Sequence, residues 1–227
     1  MGSIHVSECN IVARTLLLDL DGTLVDTVPD LAAALNRLLG ARGLPVLTPE
    51  QVSSMVGDGI AALVTRGFAV NGRQPDATAI ADFAADYEAH VAVGSRLYPH
   101  VLPVLSGLDQ DGWRLAVCTN KPEGAAQALL QALGLKELIA AVGGGDSFPV
   151  RKPDPAHLLA TLAQAGGASD AAVLLGDHHN DVAAARAAGI PCIFATWGYG
   201  RPGMADGSTA SAGDMIEAAA IARRLLP

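Results

Sequence analysis

Residues 16–23 read Leu-Leu-Leu-Asp-Leu-Asp-Gly-Thr. The run Leu16–Leu18 suits a strand buried on both faces of a parallel sheet. It ends in two carboxylates, Asp19 and Asp21, and then Gly22, where the chain can turn. Open α/β sheets bind ligands just outside the carboxyl ends of their strands, so both acids are expected in one crevice. Paired acids in such a place are costly unless a cation offsets them, and a divalent ion with oxygen ligands does so. Nucleophile, acid/base and metal ligand are thus suggested within one short stretch.

Downstream the pattern becomes helical for about seventy residues. Leu31, Ala34, Leu35, Leu38 and Leu39 recur at helical spacing within Asp30–Leu39. Thr48-Pro49-Glu50-Gln51 has the form of a capping box with proline at the first helical position. Residues 60–70 and 77–93 read as two further helices, and no strand-like run interrupts the segment. The expected organisation is therefore a core of residues 1–25 and 97–227, with residues 26–96 inserted as a small helical unit. Linkers are expected near Asp26-Thr27 and around residues 94–97.

From Tyr98 onward short apolar runs alternate with helical stretches. Strands are predicted at 113–118, 138–142, 172–175 and 191–195, and helices at 101–110, 123–133, 155–165, 181–188 and 214–226. Alternation of this kind implies a doubly wound α/β parallel sheet. Gly143-Gly144-Gly145 reads as a loop, and no GxGxxG dinucleotide fingerprint is present.

Three of these strand ends carry polar chemistry. After Cys118 come Thr119-Asn120-Lys121, where a hydroxyl and an amide before a helix N-terminus either hold a phosphate or simply cap the helix. Lys152 sits between Arg151 and Pro153, and its ammonium either binds a phosphoryl oxygen or lies on a solvated turn. After Leu174-Leu175-Gly176 come Asp177-His178-His179-Asn180-Asp181, whose two acids suit Mg²⁺, although Asp181 equally fits a helix N-terminus.

The order DxDGT, Thr-Asn, Lys-Pro and GDxxxD, each at a strand end, resembles the four motifs of the haloacid dehalogenase superfamily. The resemblance runs from about Thr15 to Ala195. It implies a Rossmann-like core with an inserted α-helical cap, Asp19 as nucleophile and Asp21 as general acid/base. It also implies that Thr119 and Lys152 bind phosphate, with Asn120 a less certain contact. Mg²⁺ would be held by Asp19, Asp177 and the backbone carbonyl of Asp21, with Asp181 supporting its water shell. Asp26–Ala34, Val56-Gly57-Asp58-Gly59, Tyr98-Pro99-His100-Val101, Thr119–Pro122 and Gly144-Gly145-Asp146 are similar to the phosphoglycolate phosphatase subgroup. In that reading the Gly57-x-Gly59 turn lets backbone amides approach a small carboxylate, and Arg66 either adds a positive charge or is a solvated helix residue. His178 and His179 depart from the subgroup's pattern. They read first as loop histidines near solvent and otherwise as contacts to substrate or metal, whereas His100 and His157 read as structural.

The leading expectation is a Mg²⁺-dependent phosphomonoester hydrolase for 2-phosphoglycolate. The alternatives are a phosphatase for another sugar phosphate and a mutase similar to β-phosphoglucomutase. The absence of His, Lys and Arg from residues 26–36 weakens the mutase. A non-enzymatic binding protein would be expected to have lost one of Asp19, Asp21, Lys152 and Asp177, and all four are present. With 227 residues, half of them hydrophobic and 17% charged, the chain can build a sizeable core. A net charge of −8 without a basic stripe argues against a nucleic-acid partner. Cys9, Cys118 and Cys192 suggest neither a disulfide framework nor a zinc site, which fits a reducing compartment. No run is long enough to span a membrane, and Met1–Ala13 lacks a secretory hydrophobic stretch. A cytoplasmic monomer or homodimer is expected.

Overall fold

The structure, a computed structural model, describes residues 13–227. Cys9 and almost all of the stretch read for a secretory signal lie outside the described residues. The chain begins with β1 (Thr15–Leu18), then β2 (Val25–Asp26) and helices α1 (Val28–Ala41), α2 (Pro49–Ser53), α3 (Ile60–Val70) and α4 (Ala79–Ala89). It returns through β3 (Arg96–Leu97) to α5 (Val101–Gln110), β4 (Arg114–Cys118), α6 (Glu123–Ala132) and β5 (Ala141–Gly143). The last part comprises α7 (Pro155–Gln164), β6 (Ala172–Gly176), α8 (His179–Ala188), β7 (Cys192–Ala195), β8 (Ala210–Ala212) and α9 (Met215–Leu225).

Six strands form one parallel sheet in the order β5-β4-β1-β6-β7-β8. Their side chains alternate between two apolar layers, as a strand period of two requires. Leu16, Leu18, Val117, Val173 and Leu175 face a layer that includes α5, α6 and α9. Leu17, Ala116, Leu174 and Phe194 face α7 and α8. Leu16–Leu18 are at most 1% exposed, so each contributes about 1.5–3 kcal/mol of burial. The chain leaves β1 toward β4 and β5 on one side and β6–β8 on the other, which makes the end of β1 the topological switch point. The doubly wound α/β reading is correct.

Helices α1–α4 pack on one another and continue the apolar cluster of the first layer. The capping box at Thr48 forms: its hydroxyl accepts from Gln51 N, and Gln51 Oε1 accepts from Thr48 N. The expected linkers are in fact paired, with Val25 opposite Leu97 and Asp26 opposite Arg96 in a two-stranded antiparallel ribbon. Buried Asp30 reinforces it by accepting from Gly94 N, Ser95 N and Ser95 Oγ at 2.6–2.8 Å.

The predicted strand at 138–142 begins too early. Gly134 adopts φ +73°, Leu135 N returns to Leu130 O, and residues 136–138 form a 3₁₀ turn, so β5 starts only at Ala141. Ala210–Ala212 gave no strand signal because Ala-Ser-Ala is neither apolar nor β-branched. It forms an edge strand through its pairing with β7. Cys118 and Cys192 are buried free thiols. Among the described residues no helix is long and apolar enough to cross a membrane.

Candidate active site

The carboxyl ends of β1, β4 and β6 converge because these strands are neighbours in the sheet. Asp19 follows β1, Thr119 follows β4, and Asp177 follows β6; all three are buried. Carboxylate oxygens of Asp19, Asp177 and Asp181 lie within 4.8 Å of one another. Lys152 enters from the loop before α7. Its Nζ lies 2.9 Å from Asp19 Oδ1 as an ion pair, and donates at 2.6 Å to Asp181 Oδ1 and at 2.6 Å to the Cys118 carbonyl.

Asp177 and Asp181 are oriented from behind. Asp177 accepts from Thr23 Oγ1 at 2.8 Å and from Tyr199 N at 2.7 Å. The second oxygen of Asp181 accepts from His178 N at 3.0 Å. Three buried carboxylates around one ammonium leave the cluster net negative. Burial, then the repulsion of Asp19 and Asp181, pushes the Asp177 carboxyl well above its ordinary range. Burial also raises Asp19, although Lys152 opposes that shift. For Lys152, burial works against the charge, but Asp181 and Asp19 hold it protonated beyond its usual range.

The four sequence motifs therefore meet, and the helices α1–α4 cover them. Asp19, Asp21, Thr119, Asn120 and Lys121 share a small cavity with Leu31, Val56, Gly57, Gly59, Ile60 and Leu63. Its free space is about 30 Å³, room for roughly two or three waters. Thr119 Oγ1 accepts from Lys121 N at 3.3 Å.

Asn120 lines the cavity, and its amide also has protein partners. Its Nδ2 donates to the carbonyls of Gly57 and Lys152, both at 3.0 Å, so its amide protons tie the helical layer to the Lys152 loop. Gly57 also has a close protein neighbour. A Cβ there would lie 2.6 Å from the His178 ring, and φ is +122°, so the residue must be glycine to admit that imidazole. Arg66 is absent from the cavity wall; its guanidinium pairs with Asp58 and donates to Met55 O.

His178 corrects the first reading of the histidine pair as solvated. It is 7% exposed and forms the N-terminal cap of α8. Its Nδ1 accepts from Asn180 N, and burial beside His179 pushes its pKa down to about 4. His179 is exposed, as expected. His157 is structural, buried against Gly144 O at 3.0 Å, and burial lowers its pKa.

Several residues at the site escaped sequence reasoning. Lys121 Nζ lies 2.9 and 3.2 Å from the Asp21 oxygens and donates to Tyr87 Oη of α4 at 2.7 Å. Tyr199 donates its hydroxyl proton to Asp26 at 2.8 Å and accepts from Thr27 N, linking the end of β2 to the backbone that holds Asp177. Lys121 had one signal, its place two residues after Thr119. Tyr87 and Tyr199 had none, because their partners are 34 and 173 positions away.

A parallel α/β sheet with acids and a buried lysine gathered at its switch point defines a hydrolase-type α/β enzyme. The chain belongs to the haloacid dehalogenase-like hydrolases, whose family model matches residues 16–195. It is 44% identical over 196 residues to a phosphoglycolate phosphatase of Rhodospirillum rubrum, covering 83% of this chain and 81% of that one. A Caulobacter vibrioides phosphoglycolate phosphatase is also 44% identical, over 88% of this chain and 84% of the relative. The crystal structure of a predicted phosphoglycolate phosphatase from Haemophilus somnus superposes with a TM-score of 0.85 at 30% identity, covering 92% of this chain and 97% of the other. Within the family the chain is a phosphatase.

Proposed function

We propose that the protein is a Mg²⁺-dependent phosphomonoesterase that works through an aspartyl-phosphate on Asp19 and hydrolyses 2-phosphoglycolate. The observation that carries this reading is the net-negative cluster of Asp19, Asp177 and Asp181 around the Lys152 ammonium. Its all-oxygen donor set fits Mg²⁺, and its raised carboxyls mark charge that a cation would relieve. Asp19, Asp177 and the Asp21 carbonyl would hold the ion, with Asp181 behind it. Bound there, Mg²⁺ supplies positive charge that offsets the repulsion between phosphate and carboxylate.

The chain's own residues carry the rest. Thr119 and Lys152 bind and orient the phosphoryl group. The Asp19 carboxylate attacks phosphorus as the bond to the alcohol oxygen breaks, and Asp21 gives that oxygen its proton. A water then attacks the aspartyl-phosphate, and Asp21 takes a proton from it, which returns both acids to their starting states. Residues 26–96 act as a cap domain that excludes bulk water and limits the leaving group. The names of the relatives support phosphoglycolate, and the small cavity supports a small leaving group over a hexose. No residue of 26–36 supplies the basic group that a bisphosphate-handling mutase would need.

Phosphate release from a panel of monoesters, with Mg²⁺ and with EDTA, tests the proposal. The expected result is Mg²⁺-dependent turnover, greatest on 2-phosphoglycolate, that falls on the order of 10⁴-fold or more in Asp19→Asn. Turnover that persists in EDTA or in Asp19→Asn would refute the mechanism, and a preference for hexose phosphates would refute the substrate.

A further inference from the structure

The site contains two buried ammonium groups with different surroundings. Lys152 donates to Asp181 Oδ1 and the Cys118 carbonyl, lies 2.9 Å from Asp19 Oδ1 as an ion pair, and is not among the residues of the cavity wall. It stands on the phosphoryl side. Lys121 donates to Tyr87 Oη and to both Asp21 oxygens, at 2.7, 2.9 and 3.2 Å, and it forms part of the cavity wall. The remaining wall is largely Leu31, Val56, Ile60 and Leu63, so an anion there would find little other compensation.

We infer that Lys121 recognises the carboxylate on the leaving group and so sets the preference for anionic over neutral phosphomonoesters. The inference deepens the phosphoglycolate reading and rests on it. Its geometry is that of a preformed anchor. The ammonium is buried, and although burial works against its charge, Asp21 and Tyr87 hold its pKa above the usual lysine range. Tyr87 also places its ring 4.4 Å from Nζ, so the side chain is gripped by the helical layer and not free to swing. Among the described residues Lys121 is the one cationic side chain that lines this space, which is sized for a few atoms. Arg66 is occupied by Asp58, and Arg151, whose Nη1 passes 3.4 Å from where a Gly59 Cβ would sit, is outside the cavity wall.

The test compares 2-phosphoglycolate with 2-hydroxyethyl phosphate, a neutral-headed analogue of similar size, in wild type and in Lys121→Met. Wild type should favour the carboxylate, and Lys121→Met should reduce that ratio of kcat/KM values by roughly 10–100-fold, chiefly through KM for phosphoglycolate, as expected for loss of a charged hydrogen bond. Tyr87→Phe keeps the ammonium but removes one of its anchors; it should shift the ratio the same way by about threefold, and it provides the readout if Lys121→Met does not fold. Parallel losses on both substrates would overturn the inference and leave Lys121 as a positioning residue for Asp21. An unchanged ratio would also overturn it, with Arg151→Ala then expected to move the ratio instead. If wild type itself shows no preference for the carboxylate, the phosphoglycolate reading fails first.

Discussion

The acids beneath the site and the seam above it are built on opposite principles. Asp19, Asp177 and Asp181 sit just beyond strand ends of a buried sheet, Asp177 fixed by Thr23 and Tyr199 N and Asp181 by His178 N. The seam joins a helical layer to core loops through single polar contacts: Asn120 to Gly57, Asn180 to Asp58 and Lys121 to Tyr87. The first region gathers like charge and relies on rigidity to keep it there. The second joins complementary polar groups across two layers of the chain. Rigid positioning suits the chemistry of transfer, and a polar seam over the cavity suits recognition of a substrate.

Removing the one cation of the rigid region should have the largest effect. Lys152→Met would leave Asp19 and Asp181 facing each other without their shared ammonium. Activity is expected to fall on the order of 10³-fold or more, and stability by roughly 3–5 kcal/mol, the usual result of breaking a buried pair. Urea unfolding beside steady-state kinetics measures both. Loss of activity with unchanged stability would mean that the acid cluster tolerates its own charge better than its burial implies.

The seam should respond differently. Gly57→Ala drives a methyl into the His178 ring and strains a φ of +122°. A loss in kcat/KM of about 10–100-fold is expected, with stability falling by no more than about 1–3 kcal/mol. Adding His178→Ala removes the ring and should restore part of the loss. No restoration would show that backbone strain, and not the imidazole, makes glycine necessary.

The reach of sequence reasoning follows the same division. The acids of the rigid region were legible because each lies within a few residues of an apolar run whose strand ending can be foreseen: Leu16–Leu18 before Asp19, and Val173–Leu175 before Asp177. Local periodicity therefore implied the convergence. The seam was not legible, because its partners are distant in sequence and polar at both ends. His178 read as solvated until Gly57, more than a hundred residues earlier, was seen to lie against its ring. Nothing near Asn120 in the sequence marks the Gly57 and Lys152 carbonyls that its amide meets. The β2–β3 ribbon read as linkers because two-residue strands carry no period.

Metal binding probes the rigid region more gently. A carboxyl whose folded pKa is raised adds stability below its ordinary range and loses it as pH rises through the folded value. Asp177 and Asp19 are both raised, so the metal-free protein should lose stability toward neutral and alkaline pH. Mg²⁺ should therefore stabilise the fold most above neutrality, by about 2.7 kcal/mol at a hundred times its Kd, and progressively less as pH falls toward the ordinary carboxylate range. Thermal scans with Mg²⁺ or EDTA across that range measure it. A Mg²⁺ effect that grows as pH falls would contradict the charge balance assigned to Asp177.

The smallest effect should come from Arg66, and it sharpens the comparison because the residue belongs to neither region. It lies on α3 near the seam, but its guanidinium pairs with Asp58, and its side chain is 44% exposed. Burial works upward on the Asp58 carboxyl, yet hydrogen bonds from Asn180 and Arg66 hold it below its ordinary range. A pair this open to solvent is worth roughly 0–1 kcal/mol. Arg66→Ala should therefore change stability by no more than that, and kcat/KM on 2-phosphoglycolate by less than about threefold, because Asn180 still holds Asp58. The same assay on 2-hydroxyethyl phosphate supplies the contrast. A large loss confined to phosphoglycolate would make Arg66 the carboxylate's partner, swung away from Asp58 when substrate binds. An equal and small loss on both esters leaves recognition of the carboxylate to the buried ammonium of Lys121, which has no such freedom to move.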